Sequence, residues 1–139
     1  MKPLLPVEPA YRLAVLPDEQ RWLVDQLWGE QAVGLIGGEP KCCKSFLALE
    51  LAVAVASGRP CLRRFPVPRP GPVLLFAAED ALPVVRQRLE GITAVMGVAF
   101  EQLDVQVITA TRVRLDLRQD VERLTNTIAS LARQHAPSR

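Results

Sequence analysis

Apolar positions along the chain fall in blocks that predict strands and helices in alternation. Residues 32–36 and 73–77 are short runs that are apolar on both faces, which is typical of buried strands in a parallel sheet. Between them, residues 45–57 are rich in leucine and alanine and are followed by Gly58, a common residue at the end of a helix. We therefore expect a strand, a helix and a second strand in this order.

The second half of the chain continues this alternation. Pro83 suits the first turn of a helix that we expect to reach about Met96. Residues 103–109 largely alternate apolar and polar side chains and predict a third strand, and residues 113–117 are a candidate short extra strand. Asp120 leads a final helix with an apolar stripe at Val121, Leu124, Ile128 and Leu131. Strands that alternate with helices predict an open, mostly parallel α/β sheet.

Proline marks the two parts that we expect to be irregular. Residues 1–20 are spaced by prolines, and residues 59–72 contain five more, which predicts a surface connection. After the first of these parts, Asp18 is expected to cap a short helix that carries Trp22, Leu23, Leu27 and Trp28. This divides the chain into a lead-in with a short helix, residues 1–30, and an α/β unit, residues 31–139.

Composition narrows the class of protein without giving a function. The chain has 139 residues and a mass of 15.3 kDa, the size of one domain. Its 49% hydrophobic and 23% charged residues exclude a disordered tail, a collagen-like chain and a coiled coil. A net charge of +2 argues neither for nor against binding to nucleic acid. No apolar run reaches the roughly 20 residues of a membrane span. We therefore expect that the chain does not bind a membrane. Three cysteines, two of them adjacent, do not make a disulfide scaffold, so we expect a cytoplasmic protein.

The stretch from Gly38 to Ser45 carries the candidate chemistry. It fits the phosphate-loop pattern (glycine, four free residues, glycine, lysine, serine or threonine) except that Cys43 replaces the second glycine. In such a loop, successive backbone N–H groups form an anion site at the positive end of the next helix. Lys44 would reach the β- and γ-phosphates, and the Ser45 hydroxyl would bind magnesium. The candidate nucleotide-binding residues are Gly38, Glu39, Pro40, Lys41, Cys42, Cys43, Lys44, Ser45 and Phe46. The alternative is a strand-to-helix turn that precedes Lys-Ser by chance.

Cys43 raises the question of whether this loop still binds a nucleotide. A glycine at this position allows close approach of the backbone and a left-handed conformation. A cysteine forced into that conformation loses about 1–2 kcal/mol, which corresponds to roughly 5- to 30-fold weaker binding. We therefore expect binding to be weakened, and the sequence leaves competence open.

Four arginines lie in the proline-rich connection, namely Arg59, Arg63, Arg64 and Arg69. One hypothesis is contact with nucleic acid or with a neighbouring subunit. The other is a solvated loop, which the sequence alone favours.

Three stretches of the chain resemble RecA-like ATPases of the RepA type. They are residues 37–49 around the phosphate loop, residues 56–60, and residues 71–80, which lead through a strand to Glu79 and Asp80. This group belongs to the AAA-family ATPases and includes ring-forming plasmid replicative helicases. The resemblance implies a three-layer P-loop NTPase fold, hydrolysis of ATP with Mg²⁺, and often a hexameric ring around single-stranded DNA in the full-length family protein.

The resemblance also implies roles for individual residues. Lys44 and Ser45 match the phosphate and magnesium positions, and Glu79 matches the catalytic glutamate, so the candidate catalytic residues are Glu79 and Lys44. Ligands of open α/β sheets lie beyond the carboxyl ends of the strands, where a carboxylate can deprotonate an attacking water. Alternatively, Glu79 and Asp80 are an acid pair favoured by the start of the next helix, and for Asp80 we prefer this interpretation.

The sequence stops at its final helix, before the apolar strand and aspartate with which this family continues. By that comparison, residues 31–139 are the N-terminal half of a RecA-like domain, and the strand at residues 32–36 lacks a neighbour on one side. We therefore expect that these 139 residues alone do not hydrolyse ATP at a useful rate. The competing hypothesis is a catalytically inactive nucleotide-binding or assembly module.

Overall fold

The computed structural model describes residues 4–135, which form four α-helices and four short strands. The helices are α1 (Asp18–Arg21), α2 (Lys44–Ser57), α3 (Leu82–Met96) and α4 (Arg118–Gln134). The strands are β1 (Trp22–Val24), β2 (Trp28–Gly29), β3 (Val73–Leu75) and β4 (Val105–Val107), and short 3₁₀ turns lie at Ala10–Arg12 and Phe100–Gln102. The predicted lead-in and tail extend into residues 1–3 and 136–139, which lie outside the described residues.

The strands form two small sheets. β1 and β2 pair antiparallel, whereas β3 and β4 pair in parallel with Val73 opposite Val105 and Leu75 opposite Val107. The parallel pair confirms an α/β arrangement in which α3 connects the two strands. A three-layer architecture with one continuous sheet is not what the described residues form, because each sheet has only two strands.

Helix α2 lies at the centre of the packing. Its apolar residues face two clusters, so the helix buries side chains on both sides: one cluster contains Val24, Ala54, Cys61 and Val67, and the other contains Leu49, Val53, Val85 and Leu89. The helix ends at Gly58, whose φ of 75° is in the left-handed region that glycine adopts without strain. The predicted helix at residues 45–57 is thus confirmed, with a start one residue earlier.

The segment of residues 32–36 contradicts the prediction of a buried strand. It forms no strand, and the side chains of Val33 and Leu35 are 100% and 98% exposed. The physical reason is that a strand needs a hydrogen-bonded neighbour, and neither small sheet pairs with this segment. Ile36, which is less exposed, lines an apolar cavity of about 450 Å³ between the β1–β2 hairpin, α2 and β3.

Two further predictions need correction. The helix expected after Asp18 stops at Arg21, and the chain continues as β1, because a hairpin with β2 gives Trp22–Val24 a partner and a buried side for Val24. The extra strand expected at residues 113–117 is a turn, in which the Arg114 N–H donates to the Asp120 carboxylate at 2.8 Å.

The remaining predicted elements are confirmed with shifted ends. The strands at residues 73–77 and 103–109 shorten to β3 and β4, because only their central residues pair. The final helix is α4, which starts at Arg118 and has no buried residue. Two residues of its apolar stripe, Leu124 and Leu131, line a cavity of about 380 Å³ beside β4. Within the described residues, no helix is both long and apolar enough to cross a membrane.

Candidate functional site

The phosphate loop is a compact turn that leads directly into α2. The Cys42 N–H donates to the Glu39 carbonyl at 3.3 Å, which closes the turn, and the Leu47 N–H donates to the Cys43 carbonyl at 3.1 Å, which starts the helix. Cys43 itself has φ 67° and ψ 23°. The structure therefore places this cysteine in the left-handed conformation that the motif's glycine adopts readily, at a cost of about 1–2 kcal/mol.

The first turn of α2 presents free donors. Within the described residues, the backbone N–H groups of Lys44, Ser45 and Phe46 have no backbone acceptor, and no side chain caps the helix. Unsatisfied N–H groups at a helix start, together with the helix dipole, create a site that favours an anion.

Lys44 places a positive charge over the same loop. Its Nζ donates to the carbonyl oxygens of Gly38 and Glu39 at 2.8 Å each and lies 3.8 Å from the Sγ of Cys42. These contacts hold the ammonium group within the loop, where it can exchange carbonyl oxygens for the oxygens of a bound anion.

Gly38 lies close to two side chains of the loop. A Cβ at this position would lie 2.5 Å from the Cys42 Sγ and 3.7 Å from the Lys44 Cδ. A residue with a side chain at position 38 would therefore have to displace the side chain of Cys42.

One cavity of about 410 Å³ brings the loop and the acidic pair together. It is lined by Pro40, Lys41, Cys42, Cys43, Lys44, Ser45, Phe46, Glu79, Asp80 and Arg88. Of the predicted site residues, only Gly38 and Glu39 do not line it, and their carbonyls instead hold Lys44. The structure therefore collects the candidate residues of two distant stretches around one space.

Glu79 and Ser45 present free polar groups to this cavity. Both residues are exposed, and neither side chain has a hydrogen-bond partner within residues 4–135. Glu79 lies four residues beyond the end of β3, on the side of the sheet where ligands of α/β proteins usually bind.

Asp80 and Arg88 are a feature of the site that sequence reasoning missed. Arg88 on α3 donates to the Asp80 carboxylate at 2.7 Å, and its guanidinium lies 4.8 Å from the centre of the Phe46 ring on α2. Asp80 does not cap α3, which has no side-chain cap, and its expected favourable interaction with the start of the helix stays a prediction. The eight-residue separation of Asp80 and Arg88 crosses a loop, so the spacing rules for helices give no signal for this pair.

The chemistry of the cavity is therefore that of an anion site with a free carboxylate at its edge. Positive charge and N–H donors lie on the side of α2, and the hydroxyl of Ser45 and the carboxylate of Glu79 supply oxygen ligands of the kind that Mg²⁺ prefers. The residues present thus fit a phosphorylated ligand with its magnesium ion. Within the described residues there is no cluster of three or more histidine, cysteine, aspartate or glutamate side chains that could hold a metal without such a ligand.

Comparison with known families gives a match over nearly the whole chain. The model of the family described as AAA domain matches residues 3–136, which is nearly the whole chain. Neither the curated proteins nor the solved structures include a match to the chain.

Proposed function

The chain belongs to the AAA domain family of P-loop ATPases, and from that premise we propose that it binds ATP with Mg²⁺ at the phosphate loop and takes part in ATP hydrolysis. The observation that carries the proposal is the set of three free N–H groups at the start of α2, with the Lys44 ammonium beside them in one cavity. A family match alone would support the fold, whereas these donors support the ligand.

The loop supplies the binding groups. The backbone from Gly38 to Phe46 would cradle the phosphates, and Lys44 would give up its contacts with two carbonyl oxygens for phosphate oxygens. The Ser45 hydroxyl would hold Mg²⁺, which neutralises charge on the phosphate oxygens when it is bound.

Glu79 is the proposed general base. Its carboxylate is free and exposed at the edge of the cavity that the loop lines, and a carboxylate in such a place can orient and deprotonate a water. Asp80 is not proposed for this role, because its oxygen is engaged by Arg88.

A second candidate function is an inactive nucleotide-binding or assembly module. The observation in its favour is Cys43, which lines the cavity and whose left-handed conformation is strained for any residue with a side chain. This hypothesis retains nucleotide binding at reduced affinity and removes hydrolysis.

The finer parts of the proposal rest on the resemblance of residues 37–49 and 71–80 to ATPases of the RepA type. They are a role in DNA replication, assembly into a ring of like subunits, a single-stranded DNA partner, and the division of the chain near residue 30 into a lead-in and part of a RecA-like domain. Of these, the DNA partner has a candidate surface in the structure, described below.

Binding of a fluorescent ATP analogue with Mg²⁺ to the whole chain tests the proposal. We expect Lys44→Ala to weaken binding by about 10- to 150-fold, because a hydrogen bond to a charged group contributes about 1.5–3 kcal/mol. Arg112→Ala is the control, since it also removes one positive charge from an exposed residue but does not line the cavity, and we expect a change of less than about threefold. Equal affinities for Lys44→Ala and the parent would overturn the proposal.

Hydrolysis separates the two candidate functions. Glu79→Gln is expected to bind the analogue as the parent does and to lower any turnover of ATP by about 100-fold or more. Turnover of ATP by the parent would exclude the inactive module, and turnover that Glu79→Gln retains would reject Glu79 as the general base.

A further inference from the structure

Positive charge is concentrated in one stretch of the chain. Between Glu50 and Glu79 there is no aspartate or glutamate, but there are four arginines, Arg59, Arg63, Arg64 and Arg69. Because the whole chain has a formal net charge of only +2, the residues outside this stretch carry a net negative charge. A local excess of this kind is the electrostatic signature of a surface that meets an anion.

Two of these arginines lie on a tight turn that is anchored in the core. The Cys61 N–H donates to the Phe65 carbonyl at 2.8 Å, and the Phe65 N–H donates back to the Cys61 carbonyl at 2.9 Å, so that Arg63 and Arg64 are held between them. Cys61 is completely buried, and that burial, with the nearby Glu50, raises the pKa of its thiol to about 11.

The turn is also fixed from the side of α2. The Leu62 N–H donates to the Glu50 carboxylate at 2.9 Å. Leu62 and Arg63 have φ values of 52° and 57°, a conformation that side chains rarely adopt, and the surrounding hydrogen bonds hold it. A fixed backbone lowers the entropy lost when the side chains bind a ligand.

Three of the four guanidinium groups have no acidic partner. Arg69 pairs with Glu30 at 3.3 Å and so has a structural contact, whereas no carboxylate of the described residues lies within 4.0 Å of Arg59, Arg63 or Arg64. Arg64 stacks on Phe65, with 5.5 Å from its guanidinium to the ring centre. Two of the three unpaired arginines, Arg63 and Arg64, are thus exposed on a turn whose backbone is fixed.

We propose that Arg59, Arg63 and Arg64 bind the phosphate backbone of a nucleic acid. This inference rests on the proposed function, which includes a DNA partner, and it names the surface of this chain that contacts the DNA. Every basic residue in the stretch is arginine, whose planar fork donates two hydrogen bonds to one phosphate. A nucleic acid offers phosphates at short, regular spacing to neighbouring arginines. A lipid surface fits less well, because Leu62 is the one large apolar side chain of the turn that is more than half exposed, and stable attachment to a membrane usually needs a larger apolar face.

Fluorescence anisotropy with a labelled single-stranded oligodeoxythymidine of about 20 nucleotides tests this surface. The protein is the whole chain, titrated between about 50 and 200 mM salt, where affinity for nucleic acid depends strongly on ionic strength. For the variant Arg59→Gln, Arg63→Gln, Arg64→Gln we expect at least roughly tenfold weaker binding at the low salt concentration. The slope of log affinity against log salt should fall by about two, since a single strand releases about 0.7 counterions per contact.

A matched control removes the same charge elsewhere. Arg12, Arg112 and Arg133 are exposed and also lack an acidic partner within the described residues, so replacing all three with glutamine changes the net charge by the same amount. We expect this control to bind within about threefold of the parent, because long-range charge effects are screened beyond roughly 10 Å. Circular dichroism checks that both triple variants are folded. If the first is not, the single changes Arg63→Gln and Arg64→Gln should each lower the salt slope by about 0.7.

Three outcomes would overturn this proposal. The parent does not bind the oligonucleotide at low salt, or the two triple variants lose affinity equally, or vesicles of phosphatidylserine or polyglutamate bind more tightly than DNA. Binding of Mg²⁺-ATP is measured on the same proteins and should not change in the first triple variant, since none of its three arginines lines the phosphate-loop cavity. Failure of DNA binding with intact ATP binding would thus reject this surface and leave the proposed nucleotide site in place.

Discussion

Two neighbouring apolar stretches, residues 32–36 and α2, occupy opposite environments. Helix α2 is buried on two sides and contributes to both core clusters. The segment before the phosphate loop leaves Val33 and Leu35 almost fully exposed. The loop that joins them nevertheless has the geometry of an anion site.

The difference follows from how each element satisfies its backbone. A helix forms its hydrogen bonds within itself, so α2 needs only apolar neighbours such as Val85 and Leu89 on α3. A strand needs the N–H and C=O groups of another strand, and residues 32–36 have no such partner among residues 4–135. The N–H donors of the candidate site belong to α2. Because α2 is packed in the core, it holds these donors in place, whereas residues 32–36 do not.

The largest expected difference is in the free energy of unfolding, between one leucine-to-alanine substitution in the core and one in residues 32–36. Leu89, 4% exposed, lies between α2 and α3, whereas Leu35 is 98% exposed. We expect Leu89→Ala to lower the free energy of unfolding by about 2–5 kcal/mol and Leu35→Ala to change it by less than about 0.5 kcal/mol. Urea denaturation measures both. A cost for Leu35→Ala close to that for Leu89→Ala would show that residues 32–36 are buried in solution.

The reactivity of the three cysteines compares the exposed start of α2 with the buried turn near its end. Cys42 and Cys43 are exposed at its start, whereas Cys61, near its end, is buried with a thiol pKa raised to about 11. At pH 8 we expect iodoacetamide to modify the two loop cysteines at least about 100-fold faster than Cys61, because the thiolate is the reactive form. Mass spectrometry of the modified peptides gives the rates. Similar rates for Cys61 and Cys42 would contradict the packing of the turn against α2.

Predictions from the sequence were confirmed mainly for elements whose backbone hydrogen bonds form between residues that are close in the sequence. The spacing of Leu and Ala before Gly58 predicted α2, and the motif at residues 38–45 located the loop that lines the cavity with Glu79. The left-handed conformation of Cys43 also agrees with the expectation drawn from the missing glycine.

Prediction was wrong where a partner distant in the sequence decides the structure. Trp22–Val24, expected to continue the helix after Asp18, instead pairs with β2, and the apolar run at residues 32–36 has no strand to pair with among residues 4–135. The contact between Asp80 and Arg88 depends on how α3 packs beside Phe46. None of these features has a periodicity in the local sequence.

The contact between the end of α4 and Asp104 is expected to have the smallest effect of the three comparisons, a change in the pKa of His135. His135 at its end contacts the Leu131 carbonyl through Nδ1 at 2.8 Å and the Asp104 carboxylate through Nε2 at 2.9 Å. The hydrogen bond to Leu131, followed by the contact with Asp104, raises the pKa of His135 above its usual value. The charged pair therefore contributes to stability below about pH 6.5, the usual pKa of histidine, and this contribution is lost as the pH rises through the raised pKa.

An NMR titration measures this pKa directly, because the chain contains a single histidine. We expect Asp104→Asn to lower the pKa of His135, because the substitution removes one of the two contacts that raise it. Asp116→Asn, which removes a carboxylate that pairs with Arg114 instead, should leave it unchanged. An equal effect of the two substitutions would show that His135 does not contact Asp104 in solution.

Calorimetric titration of Mg²⁺-ATP into the parent and into Cys43→Gly tests the central claim most directly, namely that the start of α2 forms a nucleotide site strained at one residue. We predict that both proteins bind under reducing conditions and that Cys43→Gly binds at least as tightly as the parent, since glycine removes a side chain that lines the cavity. Because Cys43 already has a φ of 67° in the folded chain, relief of the left-handed strain, about 1–2 kcal/mol, should instead raise the free energy of unfolding. Absence of binding by both proteins, with both shown to be folded, would contradict the claim.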